Sequence, residues 1–214
     1  ALSVTAFNLS MPTTGWADSE VPEIVVTTRK RSENLQDVPI SIEAFTAEDL
    51  KRQSIVNMLD VALSTPGLSI EQQGGGGFVT PVIRGMAQNV ISTDLSYDNN
   101  VGIFVNGIYQ SGRNSVDMEL VGIDRIEVAR GPQSALYGRS TFAGAINYVY
   151  ADPTDEFSGS ASATAGTDED YGATIDLSGP IVGDTLKGRI SMGYRDFDGT
   201  FGNLAGGDNL QGYE

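Results

Sequence analysis

Two groups of carboxylates in the C-terminal part of the chain have the residue types of a cation site. One is the acidic run at residues 168–170, and the other lies in the Asp-Phe-Asp-Gly run at residues 196–199. A calcium loop needs a longer series of oxygen ligands that ends in a distal glutamate, and neither group has that spacing. Carboxylates in loops are usually solvated or paired. The sequence therefore predicts no metal site, although its candidate ligands are Asp168, Glu169, Asp170, Asp196 and Asp198.

The residue types needed for catalysis are also scarce. The chain has no histidine and no cysteine, so it lacks the commonest general base, the usual zinc ligand and a thiolate nucleophile. No acidic pair lies in an apolar pattern that would separate two carboxyl pKa values for acid and base roles. The four glycines at residues 74–77 precede neither a Gly-Lys-Ser/Thr sequence nor a helix, which favours a flexible loop over a phosphate loop. The chain is predicted not to be an enzyme and to need no cofactor.

The overall composition restricts the partners. The chain has 214 residues, of which 26 are glycines and 40% are hydrophobic. Its formal net charge is -15. An acidic chain repels nucleic acids and anionic membrane surfaces, so nucleic-acid binding is not expected. No run of about 18 apolar residues occurs, which excludes a transmembrane helix and leaves a β-barrel open.

The first 17 residues resemble the rear half of a secretory signal. Residues 1–9 are mildly apolar, and small residues surround Trp16 before a polar stretch. This pattern fits a hydrophobic region followed by a cleavage site after Ala17. A disordered N-terminus is the alternative.

The most informative run spans residues 125–148, where charges, glycines and a proline stand at fixed offsets inside two β-like segments. Branched apolar residues predict a strand that the Gly131-Pro132 pair ends. Gly138 and Gly144 allow tight turns or the close approach of another chain. The run is typical of a docking surface built largely from backbone.

The same run resembles the signature near the end of the plug domain of TonB-dependent outer-membrane receptors. In that family a strand ending in Arg-Gly-Pro is followed by a Tyr-Gly turn and a Gly-Ala-Ile-Asn strand, as at residues 130–132, 137–138 and 144–147. The Ile-Arg-Gly segment at residues 83–85 is a second match. The resemblance covers roughly residues 21–150 and implies a plug that docks against a polar barrel wall. The docking residues that it implies are Arg84, Gly85, Arg125, Glu127, Arg130, Gly131, Pro132, Tyr137, Gly138 and Arg139.

Near the N-terminus, residues 23–27 form a short β-prone run between Pro22 and a basic cluster. The run predicts an exposed strand with no partner nearby, for which an ordinary edge strand is the alternative. The resemblance implies that it is the TonB box, which an energy-transducing partner from the inner membrane captures. Strand addition suits a detachable handle, because it uses free backbone groups and a few hydrogen bonds of about 0.5–1.5 kcal/mol each. This box segment consists of Glu23, Ile24, Val25, Val26 and Thr27.

The region between these runs predicts a strand, two helices and a strand, which indicates a mixed α+β domain. Residues 38–45 alternate as a half-buried strand does, and Thr46 with Asp49 forms a variant of the capping box at a helix start. A second helix is expected after Ser54. Residues 101–109 predict a hairpin around an Asn-Gly turn. The apolar stripe of the second helix is predicted to be core and consists of Ile55, Met58, Leu59, Ala62 and Leu63.

The pattern changes after Pro153. Residues 157–166, 171–178 and 186–195 alternate with a period of two, so about three strands are expected, with one face for lipid and the other for a wet lumen. A soluble sandwich would show the same alternation. Three strands leave open edges, which hydrocarbon does not tolerate, so either the chain is a fragment of a longer protein or its strands pair with another partner.

The predicted fold is therefore an α+β plug domain of mixed short strands with two short helices, followed by the first antiparallel strands of a truncated transmembrane β-barrel. The predicted boundaries are a signal remnant at residues 1–17, an N-terminal segment with the TonB box at 18–36, the plug at 37–152 and about three barrel strands at 153–214.

The resemblance implies TonB-dependent active import of a scarce solute, most often a ferric siderophore, across the bacterial outer membrane. The implied partners are TonB with its inner-membrane complex, outer-membrane lipid and the solute. The plug would lie inside the barrel with its N-terminus in the periplasm. Two alternatives remain: an importer of a vitamin, carbohydrate or other non-iron nutrient, and a soluble Gly-rich β binding module.

Overall fold

The computed structural model describes residues 23–27, 31–73, 78–86, 100–111, 116, 118, 120–138, 140–166, 170–183 and 185–196. The predicted signal remnant and the glycine run at residues 74–77 lie outside these ranges. In chain order the elements are β1 (Val25–Val26), β2 (Glu33–Asn34), β3 (Ser41–Thr46), α1 (Ala47–Arg52), α2 (Met58–Ser64), β4 (Leu68–Gln73), β5 (Phe78–Ile83), β6 (Val101–Val105), β7 (Ile108–Gln110), β8 (Ile123–Arg130), α3 (Ser134–Tyr137), β9 (Gly144–Tyr150), β10 (Ser158–Ala165), β11 (Tyr171–Val182) and β12 (Leu186–Asp196).

A five-stranded mixed sheet organises the first part of the molecule. Its strand order is β3-β8-β9-β6-β7, in which β6 and β9 are parallel and the other pairs are antiparallel. The central strands β8 and β9 are buried almost throughout, because both faces of the sheet are covered. Two smaller antiparallel pairs, β1-β2 and β4-β5, complete this part. The predicted mixed α+β architecture of this part is confirmed.

The first two helices begin at capping boxes. The Thr46 hydroxyl accepts a hydrogen bond from the Asp49 amide at 3.2 Å, and the Asp49 carboxylate accepts one from the Thr46 amide at 3.1 Å. Asn57 and Asp60 repeat the arrangement at the start of α2, three residues later than the expected start after Ser54. These reciprocal bonds satisfy amides that have no partner inside a helix.

Among the described residues, no helix combines the length and apolar composition needed to cross a membrane.

The prediction that the whole apolar stripe of α2 is core was wrong at two positions. Ile55, Met58 and Ala62 are buried, whereas Leu59 is 47% exposed and Leu63 is 80% exposed. The helix has only seven residues, and it packs on β4 through the face that carries Met58, Val61 and Ala62. A helix this short turns one narrow face to the core, so positions one residue further round point outward.

Tight turns join several of the strands. β6 and β7 form the predicted hairpin, and Asn106 and Gly107 at its turn have φ values of 48° and 78°. Two consecutive residues with positive φ define the turn that matches the twist of a hairpin. Helix α3 was not predicted, and it lies in the connection between β8 and β9.

The last three strands form an antiparallel sheet of order β10-β11-β12, as predicted. Large apolar side chains on one face of β11 and β12 are exposed, whereas the alternating polar residues are more buried. In the described residues β10 and β12 each have one strand neighbour, so the sheet is open at both edges. The large exposed apolar side chains of β11 and β12 are Tyr171, Ile175, Leu177, Ile181, Val182, Leu186, Ile190, Met192 and Tyr194.

Candidate functional site: the box segment and its docking surface

The box segment is docked on its neighbours rather than isolated. Val25 pairs with Asn34 and Val26 with Glu33 in the β1-β2 sheet, and the Leu35 amide donates to the Ile24 carbonyl at 2.8 Å. The expectation of a strand without a nearby partner was therefore wrong. A strand edge satisfies its backbone groups by pairing, and β2 lies only a few residues along the chain.

The two valines of the box segment differ sharply in exposure. Val26 is 1% exposed, whereas Val25 is 43% exposed. Side chains that alternate along a strand point to opposite faces, so one valine anchors the segment while the other faces outward. At the start of the segment the Asn34 side chain donates to the Glu23 carboxylate at 2.7 Å.

At the end of the segment, Thr27 binds a carboxylate that lies 100 residues further along the chain. The Thr27 amide donates to Oε1 of Glu127 at 2.7 Å, and its hydroxyl donates to the same oxygen at 3.1 Å. The Arg125 guanidinium in turn donates to the Thr27 hydroxyl at 3.3 Å. Thr27 thus bridges a carboxylate and a guanidinium on the central strand β8.

Glu127 is buried, and its charge is compensated. Its side chain is 0% exposed, and it forms an ion pair of 2.8 Å with Nε of Arg125. The Asn147 amide donates to its second oxygen at 3.4 Å, while the Asn147 side-chain carbonyl accepts from the Gly107 amide at 3.0 Å. Burying a carboxylate is costly unless opposite charge and hydrogen bonds surround it. The cluster of Thr27, Arg125, Glu127 and Asn147 meets that requirement.

Arg84 and Arg130, two more of the predicted docking arginines, lie near the turn between α2 and β4. Arg130 donates to the Pro66 carbonyl at 2.8 Å and lies 3.5 Å from the Glu43 carboxylate. Arg84 has φ 54° and is exposed, and its amide donates to the Gly67 carbonyl at 2.7 Å. A Cβ added at Gly131 would lie 3.6 Å from the Arg84 guanidinium. The structure therefore brings Arg84, Arg130 and Gly131 together on the plug.

Pro132, Tyr137 and Gly138, three more of the predicted docking residues, lie in or close to α3. Pro132 and Gly138 are exposed, as is Gly85 beside Arg84, and Arg139 lies outside the described residues. The Tyr137 ring packs on Phe104 with centroids 4.4 Å apart. Burial, with a smaller effect from the charge of Glu127, raises the pKa of Tyr137 to about 12, so its phenol is neutral at physiological pH. The assignment of these residues to docking against a barrel wall remains a prediction.

The polar face of the three-stranded sheet contacts the plug. The Arg189 guanidinium lies 2.9 Å from the Asp176 carboxylate, and Ser191 donates to the same carboxylate at 2.5 Å. Gly122, just before β8, has φ 74°, and a Cβ there would lie 2.8 Å from the Cβ of Ser191. The plug and the sheet therefore meet at a point that excludes a side chain.

The candidate cation ligands do not form a metal site in the described ranges. No group of three or more acidic side chains there is arranged to hold a metal ion. Asp170 instead accepts two hydrogen bonds from Arg195, at 2.8 and 2.6 Å. Asp168, Glu169 and Asp198 lie outside the described residues.

Comparison with known proteins assigns the family. The family model of the TonB-dependent receptor plug domain matches residues 34–145, which is more than half of the chain. The chain therefore belongs to this family, and the resemblance seen in the sequence is confirmed. The family consists of transport receptors, which also confirms the prediction that the chain is not an enzyme.

Individual relatives agree with this class. The pesticin receptor of Yersinia pestis is 30% identical over 191 residues, which are 88% of this chain and 28% of that protein. The ferripyoverdine receptor of Pseudomonas aeruginosa is 26% identical over 179 residues, or 83% of this chain and 21% of that protein. The chain thus spans 28% and 21% of the lengths of these two curated relatives.

Solved structures share the fold. The ferric yersiniabactin uptake receptor of Yersinia pestis superposes with a TM-score of 0.66 at 29% identity, covering 81% of this chain and 27% of that one. The pyoverdine outer membrane receptor of Pseudomonas aeruginosa, solved with pyoverdine bound, gives a TM-score of 0.68 at 23% identity, covering 83% of this chain and 25% of that one. At this identity, the similarity to the pyoverdine receptor shows only that the two chains share a fold.

Sequence reasoning did not find the cluster beneath Thr27. It selected Arg125 and Glu127 but assigned both to a barrel wall, and it gave Asn147 no role. The alternation of β8 carried a usable signal, because Arg125 and Glu127 are two residues apart and therefore share a face. Nothing in the sequence pattern indicated that Thr27 would reach that face.

Proposed function

We propose that this chain is the N-terminal part of a TonB-dependent receptor that imports a scarce solute, a ferric siderophore, across the bacterial outer membrane. The box segment is then the handle that TonB captures from the periplasm. The plug at residues 37–152 closes a barrel whose first strands are β10 to β12. The similarity to receptors named for ferric pyoverdine and ferric yersiniabactin supports the choice of solute.

The observation that carries the proposal is the way in which the box segment is held. β1 has only two residues, and backbone pairing with β2 is limited to the same short stretch. Each such hydrogen bond contributes about 0.5–1.5 kcal/mol net, so a partner strand that offers more backbone bonds can replace this pairing. A short strand of this kind fits capture by strand addition.

The three-stranded sheet supports the membrane assignment. Its exposed apolar face and its polar face against the plug match the outside and the lumen of an outer-membrane barrel. A soluble Gly-rich binding module is disfavoured, because the chain belongs to the receptor family and because soluble monomers rarely expose large contiguous apolar patches.

The test is a pair of substitutions at one position of the box segment in the full-length receptor. Val25→Pro removes a backbone donor, whereas Val25→Thr keeps both the donor and the β-branched shape. Energy-dependent uptake of the labelled ferric siderophore should be lost in Val25→Pro and retained in Val25→Thr, while both variants bind the solute at the cell surface. Normal uptake by Val25→Pro would contradict the role of the box segment.

The choice between iron and another nutrient needs a separate measurement. Cells that depend on this receptor should grow under iron limitation when supplied with the ferric siderophore that it binds. Growth that depends on the receptor only with a vitamin or carbohydrate would instead identify a non-iron nutrient.

A further inference from the structure

We propose that Glu127 and Arg125 form a latch that holds the box segment on the plug, and that the segment is released when Thr27 leaves Glu127. The inference rests on the proposed function, because it gives the box segment a docked and a free state. It assigns Glu127 a partner inside the chain, in place of the barrel-wall role that the sequence suggested.

The contacts of Thr27 are the first support for the latch. Its amide and hydroxyl both donate to one carboxylate oxygen, at 2.7 and 3.1 Å. A hydrogen bond to a charged group is worth more than one between neutral groups, and its loss shifts an equilibrium by roughly ten- to a hundredfold. Thr27 is therefore a stronger attachment point than either of the two residue pairs between β1 and β2.

The position of the cluster is the second support. Glu127 lies on the central strand β8, between β3 and β9, and is held by Arg125 and Asn147 on the same sheet. A buried carboxylate with a fixed position can accept a further hydrogen bond from one direction only. The sheet thus holds the acceptor in place, so breaking the contact requires the box segment to move.

The ion pair also makes the latch reversible. When Thr27 leaves, Glu127 keeps the Arg125 guanidinium at 2.8 Å and the Asn147 amide. Water can then hydrate Oε1 of Glu127, the atom to which Thr27 donated. Release therefore exchanges two hydrogen bonds for hydration, without leaving an unpaired buried charge, which would cost far more. The free-energy difference between the free and docked states therefore stays small enough for a binding event to shift their populations.

A buried residue of the box segment gives the readout. Val26 is 1% exposed, so a thiol at Val26→Cys reacts with a maleimide only after the segment undocks. The chain contains no cysteine, and the experiment uses the full-length receptor in a cysteine-free background. Val61→Cys, at a site that is 0% exposed in the core of the plug, reports any general loosening of the domain.

The decisive variant is Glu127→Ala. The latch predicts that the labelling rate at Val26→Cys rises about tenfold or more, while the rate at Val61→Cys is unchanged. Glu43→Ala is the matched control, because it removes an ion pair with Arg130 from the same sheet without touching Thr27. It should leave both rates unchanged. An unchanged rate at Val26→Cys in Glu127→Ala would overturn the latch.

If Glu127→Ala loosens the whole plug, a milder variant still tests the latch. Glu127→Gln keeps the volume and one oxygen acceptor but removes the charge. It should raise the rate at Val26→Cys by a smaller factor than Glu127→Ala and leave Val61→Cys unchanged. If the two sites respond together in Glu127→Gln as well, the proposal is wrong.

The labelling experiment needs no TonB and no solute, which separates it from the test of function. A faster rate at Val26→Cys combined with normal uptake in Val25→Pro would keep the latch and reject the box assignment. An unchanged labelling rate combined with loss of uptake in Val25→Pro would do the reverse.

Discussion

Single side chains in this molecule act mainly by satisfying buried or terminal polar groups. Glu127 is the clearest case, since a fully buried carboxylate needs compensation, and Arg125, Asn147 and Thr27 supply opposite charge and hydrogen bonds to it. The capping pairs do the same at helix starts, where the first amides have no partner within the helix. Both arrangements depend on a particular side-chain length, so even conservative substitutions should lower the stability of the fold around them.

The capping box of α1 gives a prediction with a defined pH dependence. Hydrogen bonding from the Thr46 side chain lowers the pKa of Asp49 below its ordinary value of 3.8. A lowered folded pKa means that the stabilisation is fully present above the unfolded value and is lost as the pH falls through the folded one. Thr46→Ala should therefore destabilise α1 by about 0.5–2 kcal/mol at neutral pH.

Hydrogen exchange of the α1 amides measures this effect. The amides should exchange faster in Thr46→Ala than in the parent chain at neutral pH, and the difference should shrink once the pH falls well below 3.8. A substitution at Ser64, at the far end of α2, serves as the control and should not change exchange in α1. A difference that persists unchanged in acid would contradict the role of the ionised carboxylate.

At the scale of elements, local chemistry was predictable and non-local pairing was not. The capping box at Thr46, the Asn106-Gly107 hairpin and the three alternating strands all follow from residues that are close in sequence. The end of the box segment contacts Glu127, which lies 100 residues from Thr27. No local pattern encodes such a contact.

The faces of α2 show the same limit at shorter range. Apolar spacing predicted that one side of the helix is buried, but it included Leu59 and Leu63 and omitted Val61. The sheet and β4 decide which part of the arc is covered, and a helix of seven residues leaves several apolar positions outside it. The extent of a buried face follows from the neighbours as well as from the period.

This difference predicts contrasting effects for two substitutions in α2. Met58→Ala removes a side chain that is 2% exposed and should cost about 2–5 kcal/mol, through lost burial and the cavity left behind. Leu63→Ala removes one that is 80% exposed and should change stability by less than about 0.5 kcal/mol. Exchange rates of core amides in β9 would show both effects, and equal losses would contradict the assigned faces.

At the scale of the whole molecule, two bodies of different character meet. The plug has a core that is covered on both faces of its sheet, whereas β10 to β12 expose one apolar face and turn polar residues toward the plug. The close approach of Gly122 to Ser191 and the ion pair between Arg189 and Asp176 lie at or beside this boundary. In the proposed barrel, the outer face of these strands would be the surface in contact with lipid.

Neighbouring residues on β12 test this arrangement. Met192 is 60% exposed on the apolar face, and Gly193 follows it on the opposite face. An arginine on a lipid-facing strand costs about 2–4 kcal/mol at the bilayer midplane, whereas an arginine facing a wet lumen does not carry that penalty. Met192→Arg should therefore lower the yield of folded receptor in phospholipid vesicles, and Gly193→Arg should not. Equal yields would argue against the assigned lipid face.

The contact between Thr27 and Glu127 also has a consequence for the order of folding. The box segment comes before every strand of the five-stranded sheet in chain order, yet its acceptor is fixed by Arg125 on β8 and by Asn147 on β9. Pairing of β3 with β8 already brings distant parts of the chain together, so the docking of Thr27 depends on that completed sheet more than on closing a loop of about 100 residues. The earliest described segment of the chain therefore docks only after strands that follow it have paired, and a plug that has failed to complete β9 would leave the box segment undocked.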